Sequence, residues 1–463
     1  IRFVASLLCV ATLASAARGV HLGTSPAPET LAIATDKRWA AVTIQGPRGE
    51  ILDAAGNVLA TSVLSPAVFV DPATFRERVG DVEAAVRQVS EVLDVPVEQV
   101  RAAIQSQGRY VRLARGVHPS VAESLKQLGL ASKGLIVEQN WRRYYPEGGF
   151  GGQVIGYVDE AGRGIQGLEA AFEAELAGAR MVEQRRVNRV GRALERPSRQ
   201  DRDIEGMRVF TTLDPDIQHM TEKALLGVME RHEPSWAAAV VLEVKTGRVV
   251  AMATAPAFDP NRAADVAFDL MRNRPVMDPT EPGSVFKPFA YAAALEEGVV
   301  RPDEILVTAS PWIIAGARIR DDHPHGSMAA WEVVKFSSNV GAAQFAHRVG
   351  ARKLLAYYDA FGFGARSGVQ VTGEEPGRKS PGRVGPVELA TISYGQGVTA
   401  TLLQLCSAVA ALGNGGLRMR PTLVDRVEDP WGEVRQRWEP TPAVRVVPEA
   451  GAAQVAEAMS HGT

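Results

Sequence analysis

The stretch that says most about this chain is residues 281–289, EPGSVFKPF, which leads into an apolar run, 289–295. Its Pro-Gly pair ends any preceding element, so we expect a helix that begins at Ser284 and keeps Pro288 near its first turn. Ser284 and Lys287 then lie one turn apart on one face, where the amine can reach the hydroxyl. Burial would favour the neutral amine, which can activate the serine as a nucleophile.

By itself, a serine three residues before a lysine is common, and a serine that opens a helix is most often a cap. A second element, residues 335–341, KFSSNVG, follows a segment, 328–336, that we expect to be helical. Ser337 could pass a proton to a leaving amine, and Asn339 could hold a substrate amide through its donor and its acceptor. The order of the two motifs favours an active site over a plain loop.

Length and composition indicate a folded chain of two or three domains. Of its 463 residues, 46% are hydrophobic and 22% are charged. The net charge of −2 does not favour binding to nucleic acid. We expect the basic stretch 180–208 to form polar strands and a linker. Cys9 and Cys406 lie in separate apolar stretches, which predicts neither a disulfide nor a metal-ligand pair.

Residues 3–17, FVASLLCVATLASAA, are apolar and uncharged and have an arginine on either side. As a helix they would span roughly 22 Å, short of the roughly 30 Å hydrocarbon core of a bilayer. The chain starts with Ile, so a single membrane anchor that is clipped here fits the pattern. A signal peptide cleaved near residues 14–16 fits as well, and a buried helix is a third alternative. The first two would place the remaining chain outside the cytoplasm.

The intervening sequence predicts mixed α and β structure. Apolar alternation around Gly56 and Asn57 predicts a hairpin within residues 42–60. The spacing of apolar residues predicts three helices, at 82–93, 97–105 and 119–128. Farther on, a strand should run into a helix capped by Asp214, with Pro215 at its first position. One face of that helix should carry Ile217, Met220, Ala224, Leu225, Val228 and Met229.

Residues 237–244 are expected to form a buried strand, with 248–254 as its hairpin partner. We interpret Lys245-Thr246-Gly247 as the turn between them, in which glycine supplies a positive φ. This hairpin before the Ser284 helix predicts an antiparallel sheet with a buried helix against it. Farther along, residues 321–325, DDHPH, could hold a metal ion, but we favour an exposed loop that ends at a helix near Ser327.

Taken in order, these motifs resemble those of the penicillin-recognising acyl-serine transferases, which carry S-x-x-K, S-x-N and K-[ST]-G. More narrowly, nearly the whole chain resembles the class B penicillin-binding proteins, the monofunctional peptidoglycan D,D-transpeptidases. The stretches that carry the resemblance, beside the two motifs, are 48–60, 143–146, 156–157, 167–169, 213–218, 361–364 and 394–397. The last two, with 337–341, are most similar to the septal, cell-division branch. Ala54 and Gln153 stand where the family usually has Arg and often has His, at positions that concern packing.

The resemblance implies a multidomain α+β fold. It divides the chain into a membrane anchor, residues 1–22, a linker, 23–41, an extended α+β pedestal of the dimerisation type, 42–207, and a transpeptidase domain, 208–463. In the last, helices flank an antiparallel sheet, as in serine β-lactamases. Because K-[ST]-G follows S-x-N in this family, the resemblance places that motif after Thr463 and makes the transpeptidase domain C-terminally incomplete here.

The resemblance also implies roles: Ser284 is the acylated nucleophile, Lys287 its base, Ser337 the proton relay and Asn339 the residue that orients the substrate. No metal or organic cofactor is required. The substrates would be D-Ala-D-Ala stem peptides, and β-lactams would mimic them. The chain would be anchored once in the cytoplasmic (inner) membrane, with its bulk in the periplasm. A septal glycan-strand polymerase and other division proteins would be its partners, and nucleic acid would not.

Two further classes of function fit the same motifs. A D,D-carboxypeptidase or β-lactamase would let water resolve the acyl-enzyme, but small hydrolases carry no long pedestal. A catalytically impaired scaffold or a β-lactam sensor would keep the fold without the cross-linking reaction. A sensor should carry a multi-span signalling region, which this stretch lacks. Cross-linking in septal wall synthesis is therefore the function that the sequence favours.

Overall fold

The computed structural model describes residues 39–108, 110–138, 140–186, 203–380 and 383–462. Contacts divide the chain into two compact units, and neither unit is continuous in sequence. The first comprises the described residues within 1–47, 64–141 and 178–205, and the second those within 48–63, 142–177 and 206–463. The anchor and most of the linker lie outside the described residues, and the domain boundary between 207 and 208 stays a prediction.

The first unit packs helices against a three-stranded antiparallel sheet, whose strands are ordered Val111–Ala114, Ala67–Val70 and Leu135–Glu138. Its helices are Pro72–Arg78, Val82–Leu93, Val97–Gln105 and Pro119–Gln127, and a 3₁₀ turn covers Leu130–Lys133. Apolar residues at helical spacing, among them Val86, Val89 and Val100, fill the core. A separate pair, Trp39–Gln45 and Arg180–Arg186, is antiparallel. The three predicted helices and the first strand of the basic stretch are confirmed, while residues 187–202 of that stretch lie outside the described ones.

The second unit contains a six-stranded mixed sheet built from distant parts of the chain. Its strands, in spatial order, are Val434–Arg437, Val424–Glu428, Arg208–Thr211, Ile51–Leu52, Val58–Leu64 and Trp141–Tyr144. Ile51 pairs with Ala60 in the predicted hairpin, which turns at Gly56 with a φ of 88°. On its other side, Ile51 pairs in parallel with Val209. The hairpin is confirmed, and its first strand is completed by residues far along the chain.

A buried ion cluster joins three segments of this unit. Glu169, which is fully buried, accepts hydrogen bonds from Nε of Arg48 at 2.5 Å and from Nε of Arg143 at 2.6 Å. Arg143 also donates to the carbonyl oxygen of Gly49 at 2.6 Å, and Arg48 to Glu173 at 2.6 Å. Because an unpaired buried charge is costly, the loss of any one of these partners would destabilise the unit.

The predicted strand-to-helix transition is confirmed: Oδ1 of Asp214 accepts from the N–H groups of Asp216 and Ile217, and the helix Pro215–His232 follows. The predicted apolar face is partly wrong, because Met220 is 61% exposed. Gln218 is fully buried instead, where its side-chain amide exchanges two hydrogen bonds with the backbone of Met252.

The hairpin Ala237–Leu242 and Val249–Ala255 is antiparallel, as predicted. Its first strand is half-buried rather than buried, because within the described residues only Val249–Ala255 pairs with it. Lys245-Thr246-Gly247 forms the turn: Gly247, at a φ of 78°, donates to the carbonyl oxygen of Glu243 at 2.8 Å. The turn interpretation of this triplet is confirmed.

The remaining helices of the second unit are Gly152–Ile155, Gly167–Ala171, Glu173–Leu176, Phe268–Met271, Arg274–Met277, Lys287–Glu296, Glu332–Lys335, Asn339–Val349, Ala351–Phe361, Pro386–Ser393, Leu402–Gly413 and Glu449–Ser460, with 3₁₀ turns at Pro260–Asp265 and Gly283–Phe286. Its remaining strands are Ile305–Thr308, Trp312–Ile314, Ala317–Ile319, Gly326–Ala329, Leu417–Met419 and Pro442–Arg445. The helix predicted at 328–336 is wrong in its first half. There the chain pairs as a strand with Ile305–Thr308, a long-range partner that overrides local spacing.

The helix Lys287–Glu296 lies within the largest core cluster of the described residues. Its residues from Lys287 to Ala294 are all buried. An aromatic cluster surrounds its first turn: the ring centroid of Phe286 lies 4.5 Å from that of Phe363 and 4.7 Å from that of Tyr358. A helix that is apolar on every face must be enclosed by others, which fixes its first turn in place. No helix within the described ranges is both long and apolar enough to cross a bilayer.

Candidate active site

Ser284 lies in the short 3₁₀ turn Gly283–Phe286, which continues directly into the helix Lys287–Glu296. The predicted helix start is confirmed, although the first turn is 3₁₀ rather than α. Pro288 is in the first turn of the α-helix, where its missing N–H removes no helical bond. Ser284 itself is exposed. This serine is therefore accessible from solvent, while the first turns of the helix that follows are buried.

Lys287 lies one turn further on, and only 2% of it is exposed. Its Nζ is 3.0 Å from Oγ of Ser284, 2.8 Å from Oγ of Ser337 and 2.5 Å from the carbonyl oxygen of Ser337. Burial lowers the pKa of Lys287 to about 8, and the charges of Asp321 and Asp322 act in the opposite direction. The amine is thus a base at mildly alkaline pH that contacts both serine hydroxyls.

Ser337 stands in the turn after the helix Glu332–Lys335 and is exposed. Its φ is 57°, a left-handed conformation that few residues other than glycine adopt. Such backbone costs on the order of 1–3 kcal/mol and persists only where the surroundings enforce it. Here it lets the hydroxyl and the carbonyl of one residue contact the same amine.

Asn339 is the first residue of the helix Asn339–Val349, and its Nδ2 donates to the carbonyl oxygen of Arg320 at 2.9 Å. Ser338, which is buried, caps this helix: its Oγ accepts from the N–H of Gly341 at 2.9 Å. The helix therefore begins immediately after the turn that holds Ser337. The structure thus brings Ser284, Lys287 and Ser337 into direct contact, and Asn339 follows two residues after Ser337.

Asp321 is a site residue that the sequence assigned to an exposed loop or a metal cluster. It is 8% exposed, and its carboxylate accepts from Oγ of Ser338 at 2.7 Å and from the N–H of Val340 at 2.9 Å. His325, at the far end of the same stretch, stacks on the ring of Phe336 at 4.5 Å. In the part of the chain that the structure describes, no three acidic, histidine or cysteine side chains come together as a metal site.

The segment Tyr394-Gly395-Gln396-Gly397 is hydrogen-bonded to the turn that carries Ser284. The N–H of Gly283 donates to the carbonyl oxygen of Gly395 at 3.1 Å, and the N–H of Gly397 donates to Oε1 of Glu281 at 2.9 Å. A Cβ atom on Gly395 would lie 2.2 Å from the carbonyl oxygen of Gly283, so only glycine fits. The sequence marked this stretch by resemblance, but its contact with the serine turn could not be read from spacing.

The arrangement suits acyl transfer through a serine ester. A nucleophile needs a base within hydrogen-bond reach, and a leaving group needs a proton donor close to the same atoms. Lys287 can take a proton from Ser284, and Ser337 can carry it onward. The N–H of Ser284 lies in the first turn of its helix, where backbone N–H groups have no partner within the helix.

Comparison with known proteins gives two family matches and a series of relatives. Residues 43–211 match the penicillin-binding protein dimerisation domain, and residues 237–461 match the penicillin binding protein transpeptidase domain. The probable peptidoglycan D,D-transpeptidase PenA of Neisseria meningitidis is 33% identical over 396 residues, which are 84% of this chain and 67% of that protein. The peptidoglycan D,D-transpeptidase FtsI of Escherichia coli is 32% identical over 407 residues, which are 87% of this chain and 67% of that protein. The chain spans about two thirds of the length of these relatives.

Solved structures agree with the family matches. The crystal structure of penicillin-binding protein 3 from Mycobacterium tuberculosis, complexed with aztreonam, gives a TM-score of 0.66 at 25% sequence identity. The superposition covers 90% of this chain and 75% of that one.

Proposed function

Because the chain belongs to the class B penicillin-binding proteins of the septal branch, we propose that it is a peptidoglycan D,D-transpeptidase. It cross-links stem peptides through an acyl-serine intermediate during septal wall synthesis. The observation that carries the proposal is the position of the Lys287 amine, buried between the hydroxyls of Ser284 and Ser337 at 3.0 and 2.8 Å.

In the first step, neutral Lys287 takes the proton of the Ser284 hydroxyl. Oγ of Ser284 attacks the carbonyl carbon of the penultimate D-Ala and forms an ester. The C–N bond to the terminal D-Ala breaks, and its nitrogen receives the proton from Lys287 through the hydroxyl of Ser337. A positioned acid or base of this kind contributes on the order of 10²- to 10⁴-fold in rate.

In the second step, the amino group of a neighbouring stem peptide attacks the ester carbonyl. Its proton returns through Ser337 and Lys287 to Oγ of Ser284, which leaves as the new amide bond forms. Asn339 presents its side-chain amide to the bound peptide, and the N–H of Ser284 stabilises the oxyanion in both steps. One such donor is worth roughly 3–4 kcal/mol of barrier. Water in place of the amine would give hydrolysis, so the acceptor decides the product.

A β-lactam would follow the first step only. Ser284 opens the lactam ring, and the leaving nitrogen stays tethered to the acyl group, so the ester persists. The binding of stem peptides and of β-lactams is part of the proposal. So are a single membrane anchor within residues 1–22, with the bulk of the chain on the periplasmic side, and a septal glycan-strand polymerase and other division proteins as partners.

Acylation by a fluorescent penicillin tests the role of Ser284. We expect Ser284→Ala to take up no label and Ser337→Ala to be labelled at least about 100-fold more slowly. The exposed Ser327, on a neighbouring strand, provides a matched control, and Ser327→Ala should react like the parent. Mass spectrometry should place the adduct on the peptide that contains residue 284. Full labelling of Ser284→Ala would refute the assignment.

Product analysis tests the proposed reaction itself. The intact protein is incubated with a D-Ala-D-Ala stem peptide and an acceptor peptide amine. We expect the cross-linked peptide together with free D-Ala. Release of D-Ala with only the shortened peptide would identify a carboxypeptidase instead.

A further inference from the structure

Asp321 follows the strand Ala317–Ile319 and is buried against the motif Ser337-Ser338-Asn339. One carboxylate oxygen accepts from the hydroxyl of Ser338 at 2.7 Å, and the other accepts from the N–H of Val340 at 2.9 Å. Its own N–H donates to Oγ of Ser310 at 3.0 Å, which holds the backbone of Asp321 as well. Both oxygens are thus committed to the start of one helix.

The neighbouring residue binds the same motif from the other side. The carbonyl oxygen of Arg320 accepts from Nδ2 of Asn339 at 2.9 Å. Residues 320 and 321 therefore contact every residue of the motif except Ser337 and leave it at the apex of the turn. A carboxylate at a helix N-terminus is also favoured by the helix dipole, which strengthens the attachment.

The turn needs this support because Ser337 has a strained, left-handed φ of 57°. Within its own segment, the N–H of Ser337 donates to the carbonyl oxygen of Val334 at 3.3 Å, and the N–H of Ser338 donates to that of Val333 at 3.0 Å. Two of the three contacts of the Lys287 amine are made by Ser337. A shift of this turn would therefore remove most of what positions the amine against Ser284.

We propose that Asp321 is a positioning residue for acyl transfer: it holds the turn so that the hydroxyl and carbonyl of Ser337 meet Lys287. The inference rests on the proposed function and adds a residue outside the two motifs Ser284-x-x-Lys287 and Ser337-x-Asn339. Asp321 acts on Lys287 in a second way, because its charge favours the protonated amine. Asp322, which is exposed, also raises the pKa of Lys287 through its charge, but none of the described hydrogen bonds joins it to the motif. Among the described residues, these two carboxylates are the charged groups that act on the amine.

The pair Asp321→Asn and Asp322→Asn separates the two effects, since each removes one charge and only the first disturbs the bonds. The measurement is the rate constant of acylation by a fluorescent penicillin from pH 6 to 10, in the intact protein. For Asp321→Asn we expect a plateau rate about 10- to 100-fold lower, because small misplacements of reacting groups cost that much. Its pH midpoint should also fall, because the amine loses a neighbouring anion. Asp322→Asn should keep the parent plateau.

A second variant tests whether the effect of Asp321→Asn comes from the lost contact with Ser338 and not from a general folding defect. Ser338→Ala removes one partner of Asp321 and should lower the plateau in the same direction. The double variant with Asp321→Asn should lose little more than the worse single variant, because both changes break one contact. A plateau for Asp321→Asn within twofold of the parent would overturn the inference. So would a lowered plateau with an unmoved midpoint and a lowered melting temperature, since that pattern marks a purely structural role.

The same data distinguish the failure of this inference from that of the proposed function. If the parent protein takes up no penicillin at Ser284, both fail together. If the parent is acylated and Asp321→Asn matches it, only the role of Asp321 fails.

Discussion

The buried amine of Lys287 predicts how acylation depends on pH. Burial lowers its pKa from 10.5 to about 8, and only the neutral amine can accept the proton of Ser284. With that pKa, the neutral fraction rises from about one in eleven at pH 7 to about ten in eleven at pH 9. The rate constant of acylation should therefore rise roughly tenfold between these pH values and level off above them. At pH 7 the shift makes the neutral amine roughly 300-fold more abundant than in an unperturbed lysine.

The assay is stopped-flow or quenched labelling with a fluorescent penicillin from pH 6 to 10, with melting temperatures recorded at each pH. Lys287→Arg should be inactive throughout, because a guanidinium stays charged over the whole range. Lys245→Met removes an exposed lysine in the hairpin turn, which takes part in none of the hydrogen bonds of the Lys287 amine, and should keep the parent profile. A rate that is flat or falls between pH 7 and 9 in the folded parent would contradict the assignment of Lys287 as the base.

Two further predictions concern the support of the site and of the sheet. Gly395→Ala should slow acylation at least tenfold and destabilise the fold by about 1–3 kcal/mol, because its Cβ would overlap the carbonyl oxygen of Gly283. Gly298 is also at a positive φ but has open space around it, so Gly298→Ala should leave acylation unchanged. Acylation of Gly395→Ala at the parent rate would show that the serine turn does not need this contact. Glu169→Gln should lower the free energy of unfolding by about 3–5 kcal/mol in chemical denaturation, because buried Arg143 loses its counter-charge and Arg48 keeps only its pair with Glu173. Glu83→Gln, in an exposed pair, should have no measurable effect. Equal stability of these two variants would contradict the importance of the buried cluster.

Local features of the fold could be predicted from the sequence. The helix Val82–Leu93 has the predicted bounds because its apolar residues recur at helical spacing and Asp81 caps it. Asp214 and Pro215 mark a helix start through their own backbone chemistry. Ser284 and Lys287 are three residues apart on one helix, so their contact follows from helix geometry alone.

Features that depend on distant partners could not be predicted. The strand Gly326–Ala329 exists because Ile305–Thr308 pairs with it, and its own spacing suggested a helix. Asp321 looked like part of an exposed acidic and histidine-rich loop, because nothing in its neighbourhood shows that Ser338 will lie 2.7 Å away. Met220 has the position of a core residue, but a fully buried Gln218 with its own backbone partners takes that place. In each case a tertiary contact outweighed the local pattern.

Ile51 pairs in parallel with Val209, and Val209 pairs in antiparallel with Val427, which has a consequence for how the protein is made. Strands that join such distant residues cannot form until the later residue has been synthesised. At a synthesis rate of roughly 5–20 residues per second, Val427 is added on the order of tens of seconds after Ile51. A fragment that ended at residue 207 would leave Ile51 without its parallel partner Val209, so residues 42–207 alone cannot complete this sheet. Until the late strands arrive, the nascent chain presents an unpaired apolar edge, the state in which chaperones are most needed.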